Sequence, residues 1–330
     1  MGMRLGYACI NLHLSEAGIQ CNRGMIKRTF EAKGVERAAD LALQNLEDLA
    51  KVVDWNSKND FSVYRMSSCL FPWMSEYEIS EMPRIEEIQE ACRRVGEIAM
   101  NAGQRLSFHP GQFNVLSSPS LKNVIKSAKD LNQHAEIMDM MGLPRSVSYP
   151  INIHIGGAYG DKESSMQRFC QNFREHLTES AQKRLVLEND DKASMFSVVD
   201  LCSVWKEIGT PVTFDYHHHR FCNGGLTEEE ALKAAAATWP EGVRPMTHYS
   251  SCKRTFEEPG QKPQAHADYI YEEIRDYGLE IDIEIESKAK EQAVVRYRRE
   301  TGTLLSEYLN FDYAGTCGAP NNVGLYQQTV

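Results

Sequence analysis

Residues 279–286 read LEIDIEIE, a strict alternation that sets Leu279, Ile281, Ile283 and Ile285 on one face of an extended segment and Glu280, Asp282, Glu284 and Glu286 on the other. INIHI at 151–155 repeats the pattern, with Ile151, Ile153 and Ile155 opposing Asn152 and His154. If helices cover the apolar face, as in a closed barrel, the polar face must point into the barrel. Unpaired charges there cost several kcal/mol each, so these carboxylates require arginines or metal ions as partners. Arg65, Arg105 and Arg244 have the parity to meet the lower ones.

The rest of the chain supplies the barrel. Apolar runs at 4–10, 61–66, 105–109, 151–155, 184–188, 211–215, 245–249 and 279–286 alternate with helical patterns at 35–53, 84–101, 121–141, 164–179, 196–208, 228–237 and 265–276, without hairpin signals. This repetition predicts an α/β fold, a TIM (β/α)8 barrel forming a single domain over residues 1–301. Residues 302–330 lose the alternation and turn rich in Gly, Asn and Gln, which reads as a C-terminal tail of unknown role.

Composition narrows the function classes. No apolar run approaches the roughly 18 residues of a membrane span, and the N-terminus lacks a secretory pattern. The expectation is a soluble protein without a membrane partner, cytoplasmic in a prokaryote or nuclear in a eukaryote, with nothing demanding more than a monomer. Nine scattered cysteines without a CxxC pair argue against a disulfide scaffold or a thiolate zinc site. The net charge of −10 disfavours a polyanionic partner unless a basic face or bound divalent cations reverse the potential locally.

Ligand-type residues gather where the strands are expected to end: His109, His154, Glu188, Asp215, His248 and Glu286, with His218 just after the sixth strand and His266 opening the last long helical pattern. A lone strand histidine is ordinarily a satisfied core residue. Packing alone, however, would favour Val, Ile or Leu at such positions, and barrel active sites are assembled from the carboxyl ends of several strands. A divalent-metal cluster follows. In FDYHHH the D-x-x-H spacing brings His218 back over the mouth beside Asp215, leaving His217 and His219 as supporting or surface residues.

The motifs RLGYACINL, SFHPGQF, HIGGAYGDK, LEND, FDYHHH, THYSS, QAHAD and EIESKAKEQ occur in this order over residues 3–296, and the chain thereby resembles the ultraviolet damage endonucleases, relatives of endonuclease IV. The resemblance implies a metal-dependent DNA repair enzyme that cuts double-stranded DNA immediately 5′ of pyrimidine dimers and 6-4 photoproducts. It implies two or three divalent ions, usually Mn2+, with Zn2+, Co2+ or Mg2+ compatible. His109 and His154 would bind one ion, Glu188 would bridge it to a second held also by Asp215, His248 and Glu286, and His218 and His266 would hold a third. Glu188 carries the catalytic role. Tyr7, Asn11, Gln112 and Phe113 are the implied lesion-binding residues. Met246 replaces a lysine of the relatives, at a place where endonuclease IV has an aspartate ligand, and a thioether cannot supply an oxygen to a hard ion, which puts the third ion in question.

Arg23, Lys27, Arg28, Lys122, Lys253, Arg254, Lys288 and Lys290 are candidate phosphate contacts, with Arg254, Lys288 and Lys290 foremost, and Trp73 could add a stacking ring. Three other readings use the same residues: an endonuclease IV-type abasic-site enzyme, a metal-dependent sugar isomerase or epimerase, and a damage-binding protein with a degenerate site.

Overall fold

Eight parallel strands close on themselves in chain order. They are β1 (Met3–Ala8), β2 (Val63–Met66), β3 (Arg105–Phe108), β4 (Ile151–Ile153), β5 (Leu185–Glu188), β6 (Val212–Asp215), β7 (Met246–Tyr249) and β8 (Ile281–Ile285). The ring is sealed where β1 pairs with β8, Arg4 opposite Asp282 and Gly6 opposite Glu284. Around it run α1 (Leu12–Glu16), α2 (Lys27–Lys58, broken at Gly34), α3 (Ile85–Asn101), α4 (Leu121–Met140), α5 (Lys162–His176), α6 (Glu179–Arg184), α7 (Val198–Ile208), α8 (Tyr216–His219), α9 (Glu228–Ala236), α10 (Lys253–Phe256) and α11 (Lys290–Glu300). This computed structural model describes residues 2–302, so the tail expected at 302–330 falls, after its first residue, outside the described residues. No described helix is long and apolar enough to cross a membrane.

The alternation in the strands does what the sequence demanded. Ile281, Ile283 and Ile285 are fully buried in the core between strands and helices, while Asp282 and Glu284 are equally buried on the barrel axis. Arg4, Arg105 and Arg244 all converge on Asp282, at 2.5, 3.0 and 2.9 Å. One layer higher, Arg65 lies 3.7 Å from Glu284 and pairs closely with Glu286. The lower interior is thus closed by charge pairs, and the upper carboxylates are left for the mouth.

Space on the axis is tight at β1. A Cβ added to Gly6 would sit 2.0 Å from the Val63 carbonyl oxygen of the neighbouring strand, where backbone must move to admit it. Gly6→Ala is expected to cost about 1–3 kcal/mol or more, read as a lower denaturant midpoint. An unchanged midpoint would mean that β1 and β2 are not held at this spacing.

The helix expected at 265–276 is absent. Its backbone donors are engaged by outside partners instead: Ala267 N donates to the Ser251 carbonyl, Asp268 N to Glu257, Tyr271 N to Ser251 Oγ and Ile274 N to the Tyr297 hydroxyl. The i→i−4 ladder therefore cannot form. His266 lies in a single antiparallel bridge with Cys252, not at a helix start. The eighth strand is followed by α11, which the sequence reading did not mark.

Candidate metal centre

Strands β3 to β8 deliver their ligand-type side chains through the same parity that buries their apolar partners. Inward positions end in Glu188 on β5, Asp215 on β6 and His248 on β7, while His109 and His154 stand just past β3 and β4. Two groups of potential ligand atoms lie within 4.8 Å of one another: His109, His154 and Glu188, and Glu188, Asp215 and His248. Glu188 belongs to both. Its carboxylate reaches His109 Nε2 at 2.9 Å, His248 Nδ1 at 3.1 Å and His218 Nδ1 at 3.2 Å, and it accepts a close bond from the Asn152 amide. Glu286 stands 3.7 Å from His248 Nδ1 and 3.6 Å from His266 Nδ1.

Electrostatics favour added positive charge at this point. Burial works to raise Glu188, but His248, His154, His109 and His218 outweigh it and hold the carboxyl well below its ordinary range. Conversely, burial works against charge on His248 and His218, yet the surrounding carboxylates win, raising His248 well above the usual imidazole value and His218 to about 11. Asp215 is pushed up by burial and by repulsion from Glu188 and Glu286. The surrounding carboxylates therefore favour positive charge on His248 and His218. Glu188 Oε1, Asp215 Oδ2, His154 Nδ1 and both ring nitrogens of His248 are nevertheless buried and make no well-directed hydrogen bond, although each has an ion-pair neighbour within 4 Å. Nitrogen and carboxylate donors, buried, converging and incompletely bonded, fit a cluster of divalent ions.

Of the supporting residues, only Glu284 was singled out from sequence, as an inward carboxylate in need of a partner. Asp190 Oδ1 lies 3.3 Å from His154 Nδ1, and Glu284 Oε2 lies 3.1 Å from His248 Nε2 while taking a close bond from Ser107. A carboxylate behind an imidazole fixes its ring and tautomer. Asn189 clamps the backbone of Asp215 through bonds of 2.8 and 3.0 Å and accepts from His218 Nδ1 at 2.9 Å. LEND, with polar residues directly after Glu188, was the available signal.

Several expectations need correction. Tyr7 is fully buried: its parity is opposite to that of Arg4, so it faces the helices, bonds Asn56 at 2.6 Å and packs on Phe61 and Tyr64. Asn11 caps α1 and donates to the Tyr7 hydroxyl, leaving it 3% exposed. Neither presents a surface to a duplex. Gln112 and Phe113 do project from the β3–α4 loop, with Phe113 85% exposed. Trp73 donates to the Met25 carbonyl and already stacks on Phe30. Arg23 and Lys253 are committed to Asp48 and to Glu258 and Asp268. Lys288 and Arg254 are exposed, and Lys290 is half-buried. Met246 points to the barrel axis one layer below His248, opposite Asp282, and packs among Val63, Val147, Val186 and Trp239. Its thioether therefore lies below the ligand-type side chains and offers them no oxygen, which leaves the expectation about a third ion as it stood. His217 and His219 are buried, not on the surface; His217 lies beside His266 and His219 against Phe214.

Comparison with known proteins bears on the family and the fold. The family model "UV-endonuclease UvdE" matches residues 3–312. The chain is 34% identical over 301 residues to a UV-damage endonuclease of Schizosaccharomyces pombe, covering 88% of this chain but only 49% of that longer protein. It is 30% identical over 296 residues to a UV DNA damage endonuclease of Clostridium perfringens, covering 87% and 68%. The crystal structure of SacUVDE superposes with a TM-score of 0.79 at 32% identity, covering 92% of this chain and all of the other. A D-tagatose 3-epimerase-like protein shares the fold alone, at 14% identity and a TM-score of 0.52 over 75% of this chain and 90% of the other. With the motifs in order along a closed barrel and the match running nearly its whole length, the chain belongs to the UV-endonuclease UvdE family.

Proposed function

We propose that this protein is a metal-dependent DNA repair endonuclease that hydrolyses the phosphodiester immediately 5′ of ultraviolet photolesions in duplex DNA, leaving a 3′-hydroxyl and a 5′-phosphate. The observation that carries the reading is the membership of Glu188 in both ligand groups at the barrel mouth. His109 and His154 with Glu188 would hold one divalent ion, Glu188, Asp215, His248 and Glu286 a second, and His218 and His266 a third, manganese being the metal we favour. When bound, such ions supply Lewis acidity to water and phosphate at neutral pH.

The chain's own residues set the geometry for in-line attack. Asn152 and His109 hold Glu188 Oε2 and His218 Nδ1 lies 3.2 Å from Oε1, so the carboxylate that would accept from the attacking water is fixed in place. Asp190 and Glu284 keep the rings of His154 and His248 from turning. Arg65 stands beside Glu286 and balances an acid that would repel the phosphate. Gln112 and Phe113 enter the duplex where photodamage has weakened stacking, because a poorly stacked base costs least to displace. Lys288, Lys290 and Arg254 contact phosphates.

The test is a nicking assay on ultraviolet-irradiated and undamaged duplexes. Nicks are expected only in the irradiated duplex, lost with chelator and restored by Mn2+. Cleavage of abasic but not irradiated DNA would replace this reading with an abasic-site endonuclease, and epimerisation of free ketoses without nicking would replace it with a sugar enzyme.

A further inference from the structure

HIGGAYGDK supplies one ligand-type residue, His154, and leaves the rest of the motif without a task. Five residues after that histidine, Tyr159 stands half-exposed, at 50%, on the β4–α5 loop at the same end of the barrel. Its φ of 50° lies in the left-handed region, which a bulky L-residue seldom occupies. The loop is built to keep it there. Asp161 N donates to the Ala158 carbonyl at 2.9 Å, and Ser165 Oγ donates to the same carbonyl at 2.8 Å. The far end of the ring passes close to Gly157, where a Cβ would come within 2.9 Å of Tyr159 Cζ.

A cation is fixed on the ring as well. The Arg168 guanidinium lies 5.7 Å from the Tyr159 centroid and is itself tied to the Ser117 carbonyl at 2.9 Å and Ser165 Oγ at 2.8 Å. Ser117 also donates to the Gly157 carbonyl at 3.2 Å, which stitches this loop to the β3–α4 loop that carries Phe113. An ordinary surface tyrosine needs neither a strained backbone nor a braced arginine. Backbone strain that the surroundings maintain around an exposed side chain is a mark of function.

We propose that the Tyr159 ring, with Arg168 behind it, is a stacking platform for an unpaired base of the bound DNA, beside the loop that inserts Phe113. Aromatic faces backed by positive charge hold bases of any identity, which suits an enzyme that must accept whatever sequence surrounds a lesion. The proposal rests on the endonuclease reading above and adds a second aromatic contact to it.

Tyr159→Gly and Tyr159→Phe separate the ring from the fold. Glycine relieves the left-handed strain, so its thermal midpoint should equal or exceed that of the wild type. Its Kd for an irradiated duplex, measured by fluorescence anisotropy, should rise about tenfold, with manganese content unchanged. Phenylalanine should bind within about twofold of wild type, since it keeps the stacking face. Wild-type affinity in Tyr159→Gly, an equal loss in Tyr159→Phe, or a lowered midpoint in the glycine variant would overturn the platform. A wild-type protein that binds and nicks irradiated and undamaged duplexes alike would instead defeat the endonuclease reading itself.

Discussion

Glu188→Gln is expected to abolish nicking for practical purposes, with a fall well beyond the roughly 10–100-fold that loss of a supporting residue costs. The substitution keeps the shape and removes one charge. Among the described residues that charge alone lies within reach of His109, His218 and His248 together, at 2.9, 3.2 and 3.1 Å. A neutral amide would also set an N–H donor against groups selected to meet an acceptor. Elemental analysis should find less manganese per chain, which separates this variant from one that merely misplaces DNA. Glu284→Gln and Asp190→Asn make the comparison quantitative: each should lose activity within the 10–100-fold band, because they orient imidazoles and do not link the two groups. Undiminished nicking in Glu188→Gln would remove the cluster from the chemistry.

The barrel and its gathering of ligand-type side chains were legible because one rule generates both. Period-two alternation writes the helix-facing residues and the axial residues into the same few positions, so Ile283 and Glu284 announce each other. The same rule, applied to β1, would have placed Tyr7 on the helix side as soon as Arg4 was assigned to the axis; motif position outweighed parity there, and the structure sides with parity. Residues 265–276 were illegible for a different reason. Their spacing is that of a helix, but the donors are captured by Ser251, Glu257 and Tyr297, residues 11 to 23 positions away and outside the segment. Met246 shows the remaining limit: it occupies the position of a ligand in a distant relative, yet at the depth of Asp282 its neighbours are Val63 and Val186, so depth along the axis decides its role.

The largest loss of stability should come from Asp282, far below the chemistry. Arg4, Arg105 and Arg244 all lean on this one fully buried carboxylate. Burial opposes its ionisation, but Arg4 and Arg105 prevail and hold its carboxyl below the ordinary range, whereas for Arg105 burial prevails and its guanidinium is pressed below its usual value. Arg105 is thus the member least able to stand alone, even with bonds to the carbonyls of Val147, Ser148 and Arg244 at 2.7–2.8 Å. Asp282→Asn should cost about 3–5 kcal/mol at neutral pH, the scale for stranding a buried charge, measured by chemical denaturation. The pH dependence carries the same sign. Because the folded value is depressed, the contribution of Asp282 is present in full above the free carboxyl value of about 3.9 and is lost as pH falls through the lower, folded value. Wild type and Asp282→Asn should therefore differ by a constant amount across neutral pH and converge only in acid. A difference below about 1 kcal/mol at pH 7 would show that the three arginines are held by the backbone carbonyls and that the axial carboxylate is dispensable to the barrel.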